Sequence, residues 1–386
     1  MESYNETLIY NNFNQYFNDI SDPRQIAKVK HPFSEILFIT VMAVIAGAED
    51  FVDIAQYAKF KKDWLSTFLN LPAGVPSHDT FNRLLCAIDP SQFEQCFIDW
   101  ISCYREQLPV EQQMDVIAID GKTVCNSADK RNGKKPIHMV SAYSTRYGLI
   151  LGQQKCYEKS NEITAIPELL SVLDIKGAII TIDAMGTQKD IANKIIDKGA
   201  DYILALKGNH SNLHKEVIDL FEKTKTPSFE HYIHDQNTEI DKGHGRIETR
   251  HCTTIQKLDW LYEPQFWTGL KSIAKVTSTV FKNGAETTED RYYISSLLIN
   301  AELFNIAIRK HWHIENKLHW VLDVVFNEDY CRVRKGNGAE NLSIIRKIAL
   351  NKMKSDNSMK KSMKSKRNIA AWSDSYAIKI MYEMMH

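Results

Sequence analysis

The 386-residue chain is poor in anything that would staple or anchor it. Its cysteines, Cys86, Cys96, Cys103, Cys125, Cys156, Cys252 and Cys331, are odd in number and never two residues apart. A disulfide framework or zinc knuckle is therefore not expected, and a reducing compartment fits. The longest apolar run, 36–48 (ILFITVMAVIAGA), falls short of the ~20 residues a bilayer span needs, so it reads as a buried helix and no membrane partner is expected. The N-terminus (MESYNETLIY) has no basic stretch followed by an apolar one, so it does not read as a signal peptide. Net charge is also missing: 48 Lys and Arg balance 48 Asp and Glu. That argues against a simple basic coat for nucleic acid, but not against an acidic site with basic flanks. HExxH is absent, and His311 and His313, two apart on a helix, face away from each other, so zinc hydrolysis is disfavoured. There is no internal repeat and no low-complexity linker before the tail.

What remains is a chain able to bury a core: 44% of residues are hydrophobic and 25% charged. The first third, 1–108, reads as a helical domain. The run from Pro32 to Leu69 has helical spacing, with Ser34 as expected N-cap. The loop NLPAGVPSHDT leads to a helix TFNRLLCAI capped by Ser77 or Asp79, and QFEQCFIDWISCYREQL follows after Pro90. Helix, Gly/Pro turn and capped helix suit DNA contact as a helix-turn-helix, or ordinary bundle packing.

At Met114 the texture changes. DVIAID, PIHMVSAYST and LILGQQKCYE read as strands, the last two a hairpin turning at Arg146-Tyr147-Gly148. Helical ITAIPELLSVL, strand GAIITIDAM, helix QKDIANKIIDKG closed by Gly199, strand DYILALK and helix SNLHKEVIDLFEKT follow. The order β-β-β-α-β-α-β-α predicts an α/β mixed sheet with helices on its faces. Residues 228–300 are β-rich, and from Glu302 the chain is helical. Between Cys331 and Arg367 about twelve Lys and Arg face two acids, a basic segment suited to phosphates or a solvated tail.

Two carboxylates occupy equivalent places. Asp120 ends VIAID and Asp183 ends IITID, each followed by small residues. One strand-end Asp more often starts a turn, but two on neighbouring strands of such a sheet can face one ligand. The third acid lies in HWHIENKLHWVLDVVFNED. There Ala307, Ile314, Leu318, Val321 and Val325 form an apolar stripe beside a polar one of His311, Glu315, His319 and Asp323. Glu315 is either exposed or able to reach a strand end; Trp312 and Trp320 favour the second, or anchor the helix in the core. Three carboxylates suit Mg²⁺ or Mn²⁺, two of which support in-line displacement at phosphorus.

IAIDGKTV, IDAMGTQKDIA, LALKGNH, KGHGRIETR and the Glu315 segment, in this order across about 110–350, resemble the H-repeat-associated family of bacterial insertion-sequence transposases. The resemblance implies a ribonuclease H-like catalytic core at 109–350 with a β-rich insertion near 228–300, a helical N-terminal domain and a basic helical tail at 351–386. It implies Asp120, Asp183 and Glu315 as the catalytic, metal-binding triad of a DDE enzyme with two Mg²⁺ or Mn²⁺. Its expected partners are double-stranded DNA (terminal inverted repeats and target) and a second copy on that DNA, in the bacterial cytosol at the nucleoid. His244, Arg246, Glu248 and Arg250 alternate on one strand face; Arg246 and Arg250 suit phosphate, or a salt bridge to Glu248. Lys122 and Lys207, near the acids, and Arg309, Arg332 and Arg334 are further candidate DNA contacts.

The resemblance departs in one respect. Where better-studied relatives carry Tyr, Arg and Lys around the catalytic Glu, this chain has Ile308, His311 and Leu322, with Arg309 the nearest upstream Arg. Two rivals stay open: a nuclease on the same core without strand transfer, and a catalytically silent DNA-binding protein.

Overall fold

The computed structural model describes residues 4–109, 114–157, 162–223, 233–243, 245–256, 258, 261 and 264–384. His244 lies outside them. Among the described residues one mixed sheet of nine strands runs through the molecule: β1 (Val116–Thr123), β2 (His138–Ser144), β3 (Leu149–Cys156), β4 (Ile179–Ile182), β5 (Asp201–Leu206), β6 (His234–Gly243), β7 (Arg246–Gln256), β8 (Ser272–Lys282) and β9 (Ala285–Ser295). Their spatial order is β3-β2-β1-β4-β5-β9-β8-β7-β6. β1, β4 and β5 are parallel, β2 is antiparallel to β1 and β3, and β9 is antiparallel to β5. The β-rich 228–300 region is thus no separate module. Its two long hairpins extend the core sheet, because β9 supplies the row of hydrogen bonds that β5 would otherwise leave open.

β1 and β4 are apolar because both faces of the sheet centre are covered: Ile117, Ile119, Ile179 and Ile180 are fully buried. α7 (Glu162–Val172) and α8 (Lys189–Asp197) pack against strands of the sheet, and α10 (Ala301–Ile314) lies over β1 and β4.

The run expected as helical from Pro32 forms three helices, α2 (Phe33–Ile45), α3 (Phe51–Phe60) and α4 (Lys62–Leu65). It breaks at Gly47, with φ +108°, and restarts at Asp50, whose carboxylate accepts from Val52 and Asp53 N–H. Ser34 is not the cap; it sits in the first turn of α2 and hydrogen-bonds Tyr10 Oη at 2.7 Å. α5 (His78–Ala87) is capped by Ser77 as expected, and α6 (Pro90–Gln107) starts on a Pro behind Asp89.

The expected basic tail is only partly solvated. α12 (Gly338–Ser355) packs on α2, α5, α6 and β3, while α13 (Met363–Trp372) and α14 (Asp374–Tyr382) close over α2. Three of its cations, Lys352, Lys366 and Arg367, turn inward to backbone carbonyls, while Lys360, Lys361 and Lys364 stay exposed. Lys352 Nζ donates to Met381 and Glu383 carbonyls at 2.9 Å, Lys366 to Met353, and Arg367 to Val44. These buried cations are spent on the fold and offer nothing to phosphate. No helix among the described residues is long and apolar enough to cross a membrane.

Candidate active site

Asp120 and Asp183 are brought together by strand register. The parallel β1–β4 ladder ends at Ile119↔Ile182, so the two acids are the next residues on each chain. Asp120 does not end its strand, as the sequence suggested. β1 runs three residues further, paired with β2 up to Thr123↔His138, because β2 is longer than β4. Beyond β4 the Asp183 carboxylate accepts from the N–H groups of Met185 (3.0 Å) and Gly186 (3.2 Å). Thr187 Oγ1 bonds Ala205 C=O, and Asn209 Nδ2 bonds Ala184 C=O, which ties IDAMGTQ to LALKGNH. Gly186 leaves no room for a side chain: a Cβ would stand 2.4 Å from Ile182 Cγ2.

Glu315 arrives from the opposite side. α10 passes at Ile314 into one π-helical turn, Glu315–His319, before α11 (Trp320–Val324). The Trp320 N–H reaches the Glu315 carbonyl, five residues back. Such turns insert one residue into a helix and often mark functional sites. The apolar stripe is confirmed by burial of Ala307, Ile314, Leu318 and Val321. Trp312 and Trp320 are not core anchors: they are 41% and 55% exposed.

Asp120, Asp183 and Glu315 line one cavity of about 340 Å³, together with Lys207, Arg291 and Trp312. Burial, followed by the carboxylates of Glu162, Asp183 and Glu315, pushes the Asp120 carboxyl up to about 7, against the Gly121 N–H that lowers it. Mutual repulsion of carboxylates at this spacing would be relieved by a bound cation. Ligand atoms of Asp120, Glu315 and His319 lie within 4.8 Å of one another, and the two carboxylates of this group suit a hard divalent ion.

Several residues here escaped the sequence reading. Glu162 and His138 share a 2.7 Å hydrogen bond pressed against Gly121, where a Cβ would meet Glu162 Oε1 at 2.2 Å. Arg291 stacks over Trp312 at 5.1 Å and pairs with Glu289 at 2.8 Å. The Gly after Asp120 was the one available signal for the first pair; a distant β9 residue gave none for the second.

The proposed DNA contacts divide. Lys207 is exposed at the cavity. Lys122 is buried and ion-paired rather than open at the cavity, with Asp323 at 2.7 Å, Asp329 at 3.1 Å and Glu328 at 3.4 Å. Arg250 is likewise taken up, buried between Glu239 (2.9 Å) and Glu248 (3.5 Å). Arg246 is exposed, 3.5 Å from Glu248, and Arg309 lies 3.6 Å from Asp241, away from Glu315. Arg332 and Arg334 line a separate cleft of about 730 Å³ with Lys134, Lys335 and His78 of α5. His311 hydrogen-bonds Thr181 Oγ1 at 3.0 Å, and burial pulls its imidazole down to about 4.

The structure thus brings a strand-register pair of aspartates and a helical glutamate to one cavity. Comparison with known proteins supplies the family. The profile described as Transposase DDE domain matches residues 111–352, and DDE_Tnp_1-associated matches 14–101. "H repeat-associated putative transposase YhhI" of Escherichia coli K12 is 44% identical over 374 residues, covering 95% of this chain and 97% of its own. YbfL of the same strain matches to the same extent, and YncI of Escherichia coli O157:H7 is 45% identical over 373 residues, 95% of this chain and 93% of its own. The chain belongs to the DDE transposases, within their H-repeat-associated family.

Proposed function

We propose that the chain is a DNA transposase that cleaves at the ends of its insertion sequence and joins the exposed 3′-OH to target DNA. The observation that carries this reading is the convergence of Asp120, Asp183 and Glu315 on one cavity from β1, the loop after β4 and the π-helical turn. The strand order β3-β2-β1-β4-β5, with β2 alone antiparallel to both its neighbours within that group, supports a ribonuclease H-like core.

Asp120, Asp183 and Glu315 would hold two divalent ions, Mg²⁺ or Mn²⁺, which when bound activate an attacking oxygen and stabilise the leaving 3′ oxygen. The protein's own part is to position and neutralise. Backbone N–H groups fix Asp183, and Lys207 and Arg291 bring positive charge to the cavity wall for the scissile phosphate. The nucleophiles are water and then the 3′-OH, so no side chain forms a covalent intermediate.

Duplex DNA, carrying the terminal repeats or the target, would follow the basic cleft of Arg332, Arg334 and Lys335 beside the N-terminus of α5. Two ends must meet, which requires a pair of protomers on DNA, and the place of action is the bacterial nucleoid.

The test is cleavage of a labelled duplex carrying the element's terminal repeat, in Mg²⁺ and then Mn²⁺, by the native chain and by Glu315→Gln. Metal-dependent nicking at the repeat boundary, lost in the variant, is the expected result. Cleavage without joining would leave a nuclease, and specific binding without cleavage a silent DNA-binding protein.

A further inference from the structure

We propose that His319 is a positioning residue, which locks the Glu315 carboxylate in the orientation the cation site requires. The inference rests on the reading of Glu315 as a cation ligand.

Glu315 needs such a lock. Its side chain is 55% exposed, and a solvated glutamate spreads over many rotamers. An unfixed ligand costs entropy each time an ion binds. His319 is its opposite: 4% exposed, on the buried side of the same π-helical turn, next to fully buried Leu318. Its Nδ1 lies 2.9 Å from Glu315 Oε2 and 3.8 Å from Asp120 Oδ2. A carboxylate only accepts, so Nδ1–H donates to Glu315. Nε2 is buried with no hydrogen-bond partner. The ring therefore spends its one hydrogen bond on Glu315.

The turn makes this arrangement cheap. Glu315 opens the π-helical turn and His319 closes it, so the two ends of one widened turn meet. A ring held by packing passes its rigidity to an exposed side chain through one bond of good length. Partners that orient a ligand in this way typically govern affinity by 10–100-fold. Asp120 Oδ2, 3.8 Å from the same nitrogen, lies beyond hydrogen-bond distance, so the ring's hold is on Glu315.

The experiment measures Mn²⁺ affinity by titration calorimetry on the full chain, with native protein, Glu315→Gln, His319→Ala, His319→Asn and His319→Gln. Asparagine restores an N–H near the Nδ1 position; glutamine reaches toward Nε2. The expected result is Mn²⁺ binding weakened about 10–100-fold in His319→Ala, recovered largely by His319→Asn and not by His319→Gln. Pulsed EPR of native protein with Mn²⁺ should show no ¹⁴N coupling. Native affinity in His319→Ala, with Glu315→Gln defective, would overturn the inference and leave the transposase reading intact. A ¹⁴N coupling, or rescue by glutamine alone, would overturn it in favour of direct ligation. Unchanged affinity in Glu315→Gln as well would remove the functional reading itself, and this inference with it.

Discussion

Asp120 and Asp183 stand one residue beyond the last rung of the parallel β1–β4 ladder, Ile119↔Ile182. Their proximity follows from a register set by buried isoleucines, since a slip of one residue would turn every side chain to the other face. The first consequences to test concern how the fold holds these two acids.

The Asp120 carboxyl, raised from 3.8 to about 7 by burial and its carboxylate neighbours, links stability to pH. The folded protein binds this proton more tightly than the unfolded chain does. In the ion-free protein the group therefore favours folding at low pH, and that contribution is lost as pH rises from about 3.8 through about 7. Thermal midpoints measured by calorimetry in chelator should fall over this range, and Asp120→Asn should flatten the slope. Mn²⁺ affinity should run the other way, rising through pH 7, because the ion competes with the proton.

Gly186→Ala would drive a methyl to within 2.4 Å of Ile182 Cγ2 and 2.7 Å of Ile166 Cδ1. Overpacking of this kind costs about 1–3 kcal/mol. Urea denaturation should show that loss. Mn²⁺ affinity should fall as well, because Gly186 N–H is one of the two donors that fix Asp183.

Lys122→Met would strand Asp323, Glu328 and Asp329, with Glu328 only 1% exposed. Removing one partner of a buried ion cluster costs about 3–5 kcal/mol, here toward the lower end because Asp323 and Asp329 are each about a third exposed and Arg346 still lies 3.7 Å from Glu328. Denaturant midpoints should move accordingly. A stable Lys122→Met with weakened DNA binding would restore the lysine to the phosphate contacts.

Arg332→Ala combined with Lys335→Ala should act on DNA and not on the fold. Each lost phosphate contact should lower the slope of log affinity against log salt by about 0.9. Fluorescence anisotropy on a duplex at several salt concentrations reads this directly, with Mn²⁺ affinity unchanged as the control.

The acids were legible because each belongs to a local pattern: an apolar strand, an acid, then small residues, and for Glu315 a helix with a clear stripe. What stayed hidden is non-local. Lys122, two residues after Asp120, read as a phosphate contact or a surface lysine because its partners Asp323, Glu328 and Asp329 lie about two hundred residues away in sequence. Which edge of the sheet the β-rich insertion joins was not legible, because strand alternation does not reveal it; that depends on β9 pairing with β5 across some ninety residues. The C-terminal lysines read as a phosphate-binding tail because composition counts charges and cannot see that Lys352 and Lys366 meet backbone carbonyls. The π-helical turn has no residue signature in this chain beyond a helix that carries polar groups on its buried side.

α2 is buried along nearly its whole length, and much of its cover comes from α12, α13 and α14. A ribosome making this chain releases an almost uniformly apolar helix near the beginning and its lid close to three hundred residues later. Until then the helix has no native partner on that side, and it is a natural client for a holding chaperone. The sheet that carries the acids leans on this same block through β3 and α6, so the site becomes rigid only as synthesis nears its end. Timing of assembly is thereby written into topology: until α12, α13 and α14 are made, the three acids lack the scaffold that aligns them.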